Sequence, residues 1–323
     1  MFLAFLYLAY LIWSSDGNRP KIDVELREVM SYAVLAVEMG GHAVKKIYEE
    51  NSLGTRKKGK TDVGKDELLT KADLTSNHLM LGLLERFPEL TVISEEKSDD
   101  MKDKDVEKYR DDNYELWLEY KDAINQMPSK KYELKRLNMW IDPLDATQEY
   151  TEGLTQYVTT MACITVDGKP VFGAIYRPFS DETIIGLVDW GVLSTRTGKI
   201  KFDDDVKLPK KVMVSRSHAG KVQQLVDDAL TGAYQVEAAG GSGYKTLKLI
   251  NSTAEYYLHT TAIKKWDLCA ADAIIRAAGG ALIDLKGRPM NYSTNSDVLN
   301  KNGLIMSRKN TYGTYMKIKD YIH

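Results

Sequence analysis

The sequence contains only two cysteines, Cys163 and Cys269, among its 323 residues. Two cysteines cannot form the disulfide framework of a small secreted domain, and they cannot supply the several thiolates of a structural zinc site. Both residues lie in apolar stretches of the sequence. We therefore predict that they are buried free thiols.

The sequence also lacks an excess of positive charge. Its 44 Lys and Arg residues nearly balance its 46 Asp and Glu residues, which leaves a formal net charge of −2. This balance argues against a general nucleic-acid-binding protein, which would show a basic excess, but it allows a local cationic pocket for one small anion. A chain of this length with 43% hydrophobic residues can bury one large core or two smaller ones.

No apolar run in the sequence reaches the usual length of a membrane-spanning helix. Residues 1–13, "MFLAFLYLAYLIW", carry no charge, but as a helix they would span roughly 20 Å against about 30 Å for a bilayer core. A signal peptide would begin with basic residues and end in small ones. We predict a short membrane anchor over residues 1–18, and the alternative is a buried core helix. By charge alone, Arg19 and Lys21 favour a cytosolic domain after it.

The rest of the chain alternates between helical and strand patterns. Apolar residues at helical spacing predict a helix over residues 24–50, and a second helix is predicted over residues 75–87. The β-branched run that begins at Val158 turns at Asp167-Gly168 and returns to Tyr176, which predicts a β-hairpin. Residues 54–73, rich in Lys and Gly, are predicted to form a mobile or ligand-ordered loop.

Acidic residues follow predicted strands or begin a helix at four places in the sequence. They are the pair in "WIDPLDAT" (Asp142 and Asp145), the pair in "VISEE" (Glu95 and Glu96), and two single residues, Asp73 and Asp267. Carboxylate ligands without His or Cys partners suit Mg²⁺ rather than Zn²⁺. Converging carboxylates repel one another unless cations bind. Two metal ions about 3.5–4 Å apart would make this a phosphoryl-transfer site.

These motifs resemble those of the lithium-sensitive, Mg²⁺-dependent phosphatases related to inositol monophosphatase. "WIDPLDAT" is similar to the first motif of that family, and "KKWDLCAADAIIRAAGG" is similar to the second. "VISEE" and "TKAD" also match, in the expected order. The resemblance covers residues 22–307. "DATQEYTEG", "VSRSH", "GGSGYK" and "IKKWD" are most similar to the branch that acts on adenosine 3′,5′-bisphosphate.

The resemblance implies a role for each matching residue. Asp73 and Thr147 would orient and deprotonate the attacking water, because a Thr hydroxyl can relay a proton to a neighbouring carboxylate. Metal ions would be held by four carboxylates and one main-chain carbonyl, those of Glu95, Asp142, Asp145, Asp267 and Leu144. Substrate would be bound by Ser215, His218, Gly241 and Lys245.

The glycine-rich turn at residues 240–243 is compatible with such a binding role. Glycines let the main chain approach a ligand closely, and the N–H groups of the following helix can bind an anion. Lys245 adds a positive charge suited to a 5′-phosphate that is bound but not cleaved. Glycine-rich turns before helices are common, however, and His218 would also fit an ordinary loop position.

The expected fold is a layered α/β/α/β/α sugar-phosphatase-like α/β fold behind an N-terminal membrane anchor. We predict an α+β metal-binding half over residues 22–177, an α/β half with the nucleotide pocket over residues 178–307, and a C-terminal tail over residues 308–323. The branch resemblance implies a Mg²⁺-dependent nucleotidase that removes the 3′-phosphate of adenosine 3′,5′-bisphosphate.

An apolar N-terminus ahead of such a domain resembles the Golgi-resident branch of the family. The resemblance implies a single-pass type II protein whose catalytic domain lies in the lumen, where it would clear the by-product of sulfation. The alternatives are a phosphatase of inositol phosphates from the same family, and a membrane-tethered binding protein without catalysis.

Overall fold

Two main β-sheets carry the fold in the structure, a computed structural model that describes residues 21–60, 64, 66–97, 101–110, 115–202, 209–216, 219–230 and 234–322. The strands, in chain order, are β1 (Asp23–Glu25), β2 (Arg56–Lys60), β3 (Asp66–Leu69), β4 (Thr91–Ser94), β5 (Lys131–Glu133), β6 (Leu137–Asp145), β7 (Thr159–Val166), β8 (Lys169–Arg177), β9 (Glu182–Leu187), β10 (Gly191–Ser194), β11 (Gly198–Lys199), β12 (Lys210–Ser215), β13 (Tyr234–Ala239), β14 (Tyr256–His259), β15 (Ile263–Lys264), β16 (Ala281–Ile283), β17 (Leu299–Asn300) and β18 (Leu304–Ser307). The helices are α1 (Leu26–Glu49), α2 (Lys71–Leu84), α3 (Asp103–Val106), α4 (Glu115–Gln126), α5 (Thr147–Thr151), α6 (Ala219–Ala229), α7 (Ser242–Ile250), α8 (Trp266–Ala277) and α9 (Thr311–Ile318).

The larger sheet has seven strands in the order β11-β10-β9-β8-β7-β6-β4. β4 runs parallel to β6, and the other neighbours are antiparallel. Every residue of β6 and β7 is buried, which explains why both strands are apolar without alternation. The predicted hairpin is confirmed: Asp167 and Gly168 have φ of 50° and 75°, the positive values that a two-residue turn of this type requires.

The smaller sheet has five strands in the order β13-β12-β14-β18-β16. Helices α7 and α8 lie between the two sheets, α1 and α2 cover the outer face of the larger sheet, and α6 and α9 cover the outer face of the smaller one. The layers therefore follow the predicted order of helix, sheet, helix, sheet, helix. The predicted first helix is confirmed, and its apolar positions, Val29, Ala33, Val37 and Val44 among them, are fully buried.

The sheets do not separate at the predicted boundary after Arg177. Strands β9, β10 and β11, at residues 182–199, continue the larger sheet by successive antiparallel pairing, so the change of sheet comes after Lys199. The predicted C-terminal tail contains helix α9, which packs Ile318 against the smaller sheet.

The predicted loop over residues 54–73 forms an antiparallel hairpin from β2 and β3 and then the first turn of α2. Strand β2 is polar and exposed, β3 is half-buried, and cross-strand pairs such as Lys57 Nζ with Asp66 Oδ2, 2.6 Å apart, join them. Because these strands lack apolar alternation, the sequence pattern did not reveal them as strands.

The prediction of two free thiols was wrong in one respect. Cys163 and Cys269 are fully buried, as expected, but they form a disulfide with a Cα–Cα distance of 5.6 Å. The two residues are 106 positions apart, on a strand of the larger sheet and on helix α8. Only the packing of α8 against the sheet brings them together, so the local sequence could not show the pairing.

The predicted anchor over residues 1–18 lies outside the described residues. Within the described ranges, no helix combines the length and the apolar character that a membrane span needs.

Candidate active site

Asp142 and Asp145 lie at the end of the buried central strand β6. On the neighbouring strand β7, Met161 lies opposite Asp142 and Thr159 lies opposite Asp145. Three steps along β6 thus match two steps along β7, so β6 contains one extra residue, a β-bulge. Residues three apart on a regular strand point to opposite faces. The bulge between Asp142 and Asp145 therefore allows both carboxylates to face the same side.

The carboxylate of Asp145 meets the N-terminus of helix α7. Oδ1 accepts the N–H of Ser242 at 3.1 Å, and Oδ2 accepts the N–H of Gly243 at 2.8 Å and the hydroxyl of Thr159 at 3.0 Å. A helix N-terminus stabilises a negative charge. Asp145 thereby connects the strand of one sheet to a helix that lies between the sheets.

Three acidic residues from three different elements converge beside Asp145. Glu95 follows β4, Asp142 ends β6 and Asp267 is in the first turn of α8. One carboxylate oxygen from each lies within 4.8 Å of those of the other two, a group that could hold a metal ion. Three of the four predicted metal-ligand carboxylates therefore form this group, and Asp145 is not part of it.

The acidic cluster is electrostatically unfavourable by itself. Burial, followed by the charges of Glu95 and Asp145, raises the pKa of both Asp142 and Asp267 well above its ordinary value. Burial also raises the pKa of Glu95 and Asp145. The structure thus concentrates carboxylates where only a cation can offset their repulsion.

The donor set fits a hard divalent cation. Oδ2 of Asp142 is fully buried and accepts no hydrogen bond from any N–H or hydroxyl group in the described part of the chain. A buried carboxylate oxygen without a donor is costly unless a cation binds it. All the ligand atoms are oxygens, which suit Mg²⁺.

Lys58 of strand β2 supplies a positive charge at the edge of the cluster. Its Nζ lies 2.6 Å from Oε1 of Glu95 and also contacts Oε1 of Glu96. Burial alone would lower the pKa of Lys58, but the two carboxylates hold it above the ordinary value. Sequence analysis missed Lys58, and the only available signal was the abundance of lysine in this segment.

Thr147 and Asp73 form the hydrogen-bonded pair that their predicted roles require. Thr147 Oγ1 donates to Asp73 Oδ1 at 2.9 Å and also lies 3.1 Å from the carbonyl oxygen of Leu144. The other oxygen of Asp73 accepts the N–H and the hydroxyl of Thr70, the N-cap of α2. Burial raises the pKa of Asp73 to about 7, a value suited to a proton acceptor near neutral pH.

Among the predicted substrate-binding residues, Gly241 and Lys245 lie beside this cluster. Gly241 precedes α7 with φ of +64°, and a Cβ there would come within 2.7 Å of the Tyr157 carbonyl oxygen, so only glycine fits. Lys245 Nζ is buried and donates to the carbonyl oxygens of Gly241 at 2.5 Å and Ala239 at 3.4 Å. Burial lowers the pKa of Lys245 to about 8, although the negative charge of Asp145 acts in the opposite direction and raises that pKa.

Ser215 ends strand β12 and lines a cleft of about 930 Å³. The cleft runs between the β2–β3 hairpin and helix α5, and Lys57, Lys60 and Arg216 also line it. Arg216 pairs with Glu149 at 2.9 Å and with Glu152 at 2.6 Å. His218, the remaining predicted substrate contact, lies outside the described residues.

Comparison with known proteins gives a consistent result. The family model described as "Inositol monophosphatase family" matches residues 25–322. "Inositol monophosphatase 3" of Danio rerio is 40% identical over 301 residues, 90% of this chain and 83% of the relative. "Golgi-resident adenosine 3',5'-bisphosphate 3'-phosphatase" of Mus musculus is 40% identical over 314 residues, 95% of this chain and 84% of the relative.

A solved structure shares the fold. CysQ from Bacteroides thetaiotaomicron, described as a bacterial member of the same family, superposes with a TM-score of 0.63 at 19% sequence identity. The match covers 88% of this chain and 99% of that one.

Proposed function

This chain belongs to the inositol monophosphatase family, and we propose that it is a Mg²⁺-dependent phosphatase that hydrolyses adenosine 3′,5′-bisphosphate to AMP and phosphate. The observation that carries the proposal is the convergence of Glu95, Asp142 and Asp267 next to the Thr147–Asp73 hydrogen bond. A group of oxygen ligands beside a proton-accepting pair is the arrangement that metal-assisted phosphate hydrolysis needs.

The protein's own residues account for the proton transfer. Thr147 presents its hydroxyl to Asp73 at 2.9 Å, so a proton taken up at Thr147 Oγ1 can be passed on to Asp73 Oδ1. Because burial raises the pKa of Asp73 to about 7, this carboxylate accepts a proton more readily than an exposed one.

Glu95, Asp142, Asp145, Asp267 and the Leu144 carbonyl would hold the metal ions. When bound, divalent cations lower the pKa of a coordinated water and stabilise the negative charge of the reacting phosphate.

Two features support a nucleotide bisphosphate as the substrate. The first is Lys245 at the N-terminus of α7, whose ammonium donates to the Gly241 carbonyl and would supply a positive charge for the 5′-phosphate that is not cleaved. The second is Lys60, which lines the cleft beside Ser215 and would contact a second phosphate, whereas Lys57 and Arg216 in the same cleft are already paired with carboxylates.

The printed names of the relatives divide between two substrates. Relatives named "Inositol monophosphatase 3" and relatives named "Golgi-resident adenosine 3',5'-bisphosphate 3'-phosphatase" reach the same 40% identity. Inositol phosphates are therefore the second candidate substrate, and the residues of the α7 turn favour the nucleotide.

The proposed location is the Golgi membrane, with the catalytic domain in the lumen behind a single-pass type II anchor. The names of several relatives are the first support. The Cys163–Cys269 disulfide is the second, because disulfides persist in oxidising compartments and are rare in the cytosol.

A phosphate-release screen with Mg²⁺ tests the proposed reaction. Adenosine 3′,5′-bisphosphate should be hydrolysed with a higher kcat/KM than each inositol monophosphate. A preference for an inositol phosphate would overturn the nucleotide assignment but leave the metal-dependent chemistry standing. Release of phosphate from no substrate, with binding of the bisphosphate retained, would favour the binding protein without catalysis.

A further inference from the structure

The disulfide joins the strand next to that of Asp142 to the helix of Asp267. Cys163 on β7 pairs in register with Trp140 of β6, two residues before Asp142. Cys269 is on α8, two residues after Asp267. The bond therefore joins the helix that carries one candidate metal ligand to the strand that flanks the other two aspartates.

Asp267 is the member of the cluster that comes from a distant part of the chain. Strand β6 holds Asp142 and Asp145, and hydrogen bonds from α7 also hold Asp145, whereas the position of Asp267 depends on the position of α8. Converging carboxylates repel one another, and the repulsion acts to push α8 away from β6 whenever the cluster has no cation.

Non-covalent packing restrains α8 farther along the helix. A Cβ at Gly173 of β8 would come within 2.4 Å of the Ala270 carbonyl oxygen, and one at Gly186 of β9 would come within 2.8 Å of the Ile274 Cα. Tyr292 adds polar links, since its carbonyl accepts the Trp140 indole N–H at 3.1 Å and its hydroxyl donates to Asp272 at 3.1 Å. Among these links, the disulfide is the covalent one, and it lies one residue nearer to Asp267 than the Ala270 contact does.

We propose that the Cys163–Cys269 disulfide is a positioning element of the metal site, which keeps Asp267 in ligating range of Asp142 when no cation is bound. The bond removes the freedom of the first turn of α8 to move away from the sheet, so that a metal ion meets a preformed set of ligands. The inference rests on the proposed metal-dependent function, and its tests separate the two.

The first test is a count of thiols. The sequence contains no other cysteine, so a thiol reagent applied to the denatured, non-reduced protein should find none, and it should find two after reduction. Two reactive thiols in the non-reduced protein, purified from an oxidising compartment, would overturn the proposal.

The second test measures Mg²⁺ binding when the bond is removed. In the double variant Cys163→Ala/Cys269→Ala, calorimetric titration without substrate should show Mg²⁺ affinity lowered about tenfold, the size of effect seen for groups that orient metal ligands. The Mg²⁺ concentration that half-saturates turnover should rise by the same factor, while kcat at saturating Mg²⁺ should stay within about twofold. If the double variant does not fold, Cys163→Ala/Cys269→Val, which fills more of the space, replaces it.

A matched control separates positioning from general stability. Ile318→Ala on α9 creates a cavity in the core that faces the other side of the smaller sheet, so it lowers Tm without touching α8. Its Mg²⁺ affinity should equal that of the unmodified protein. An equal loss of affinity in this control, or no loss in the cysteine variants, would overturn the positioning role. Absence of Mg²⁺ binding in the unmodified protein would instead overturn the proposed function.

Discussion

A single inserted residue decides how the carboxylates of β6 are used. Asp142 and Asp145 are three residues apart on β6 but lie opposite residues only two apart on β7, which makes a β-bulge. The bulge allows both side chains to lie on the same face of the sheet. Asp145 is then satisfied by helix α7, whereas Oδ2 of Asp142 has no hydrogen-bond donor among the described residues. The two residues therefore differ: Asp142 is the one whose charge most needs a cation.

Asp142→Asn should abolish turnover even at high Mg²⁺, with a loss of at least about 10²–10³-fold in kcat, because it removes a charge that the metal ions need. The same change should raise the stability of the metal-free protein by about 1 kcal/mol, or roughly 2 °C in Tm, since carboxylate repulsion falls. Phosphate release and thermal melts in chelator check the two effects. Asp227→Asn, on the surface of α6, is the control, and near-normal turnover of Asp142→Asn would refute the assignment.

Lys245 offers a test of substrate choice at the level of one side chain. A charge-assisted contact to phosphate contributes roughly 1.5–3 kcal/mol. Lys245→Ala should therefore lower kcat/KM about 10–100-fold for adenosine 3′,5′-bisphosphate and barely change it for adenosine 3′-monophosphate.

Thr147→Ala is the comparison for this experiment, because it should slow both substrates equally. A melting curve of Lys245→Ala is also needed, since the buried ammonium of Lys245 donates to the Gly241 carbonyl. Equal losses for both substrates in Lys245→Ala would mean that the lysine does not bind the 5′-phosphate.

Among the elements, the β2–β3 hairpin contributes most to the electrostatics of the site. Its Lys58 ammonium contacts the carboxylates of Glu95 and Glu96. In the metal-free protein, Lys58 therefore partly neutralises the acidic cluster. A metal ion that coordinates Glu95 has to compete with this ammonium group.

Lys58→Met should consequently increase Mg²⁺ affinity about fivefold, because the competing charge-assisted contact is lost. The variant should also melt at a lower temperature than the unmodified protein in chelator, since the carboxylates then lack their counter-charge. Lys57→Met on the same hairpin is the matched control, because Lys57 pairs with the partly exposed Asp66. Calorimetry checks the prediction, and unchanged Mg²⁺ affinity in Lys58→Met would contradict it.

For the whole molecule, the position of the site follows from the layering. The larger sheet and the segments around it supply Glu95, Asp142, Thr147 and Asp73, while the helices between the sheets supply Asp267 and the α7 N-terminus. The site forms only when both sheets have packed onto those helices. The disulfide joins the same two layers covalently.

The proposed lumenal location of the catalytic domain is tested on the whole chain. Protease added to sealed Golgi-derived vesicles should leave the catalytic domain intact, and should digest it once detergent opens the membrane. The disulfide motivates this expectation, because it needs an oxidising compartment. Digestion in intact vesicles would mean that the domain faces the cytosol.

Local patterns predicted the elements that are apolar and periodic. The helical spacing from Val29 to Val44 predicted α1, and the Asp167-Gly168 turn predicted the β7–β8 hairpin. Both patterns can be seen in the sequence because side-chain periodicity and turn preferences involve only residues that are close in the chain. The strands β2 and β3 have no such pattern, and ion pairs such as Lys57 with Asp66 accompany their pairing. The continuation of the larger sheet beyond Arg177 also has no local pattern, since strand order is a long-range property.

The sequence by itself determined the chemistry that this protein has available: oxygen ligands without histidine or cysteine partners, a threonine hydroxyl that can relay a proton, and a glycine turn before a helix. Only the tertiary structure decided which of these groups meet. It placed Asp267 against Asp142, brought Lys58 to Glu95, and joined Cys163 to Cys269 across 106 positions. The reason is physical: donor chemistry belongs to each residue, whereas proximity between distant residues comes from the burial of apolar faces, which the local pattern does not specify.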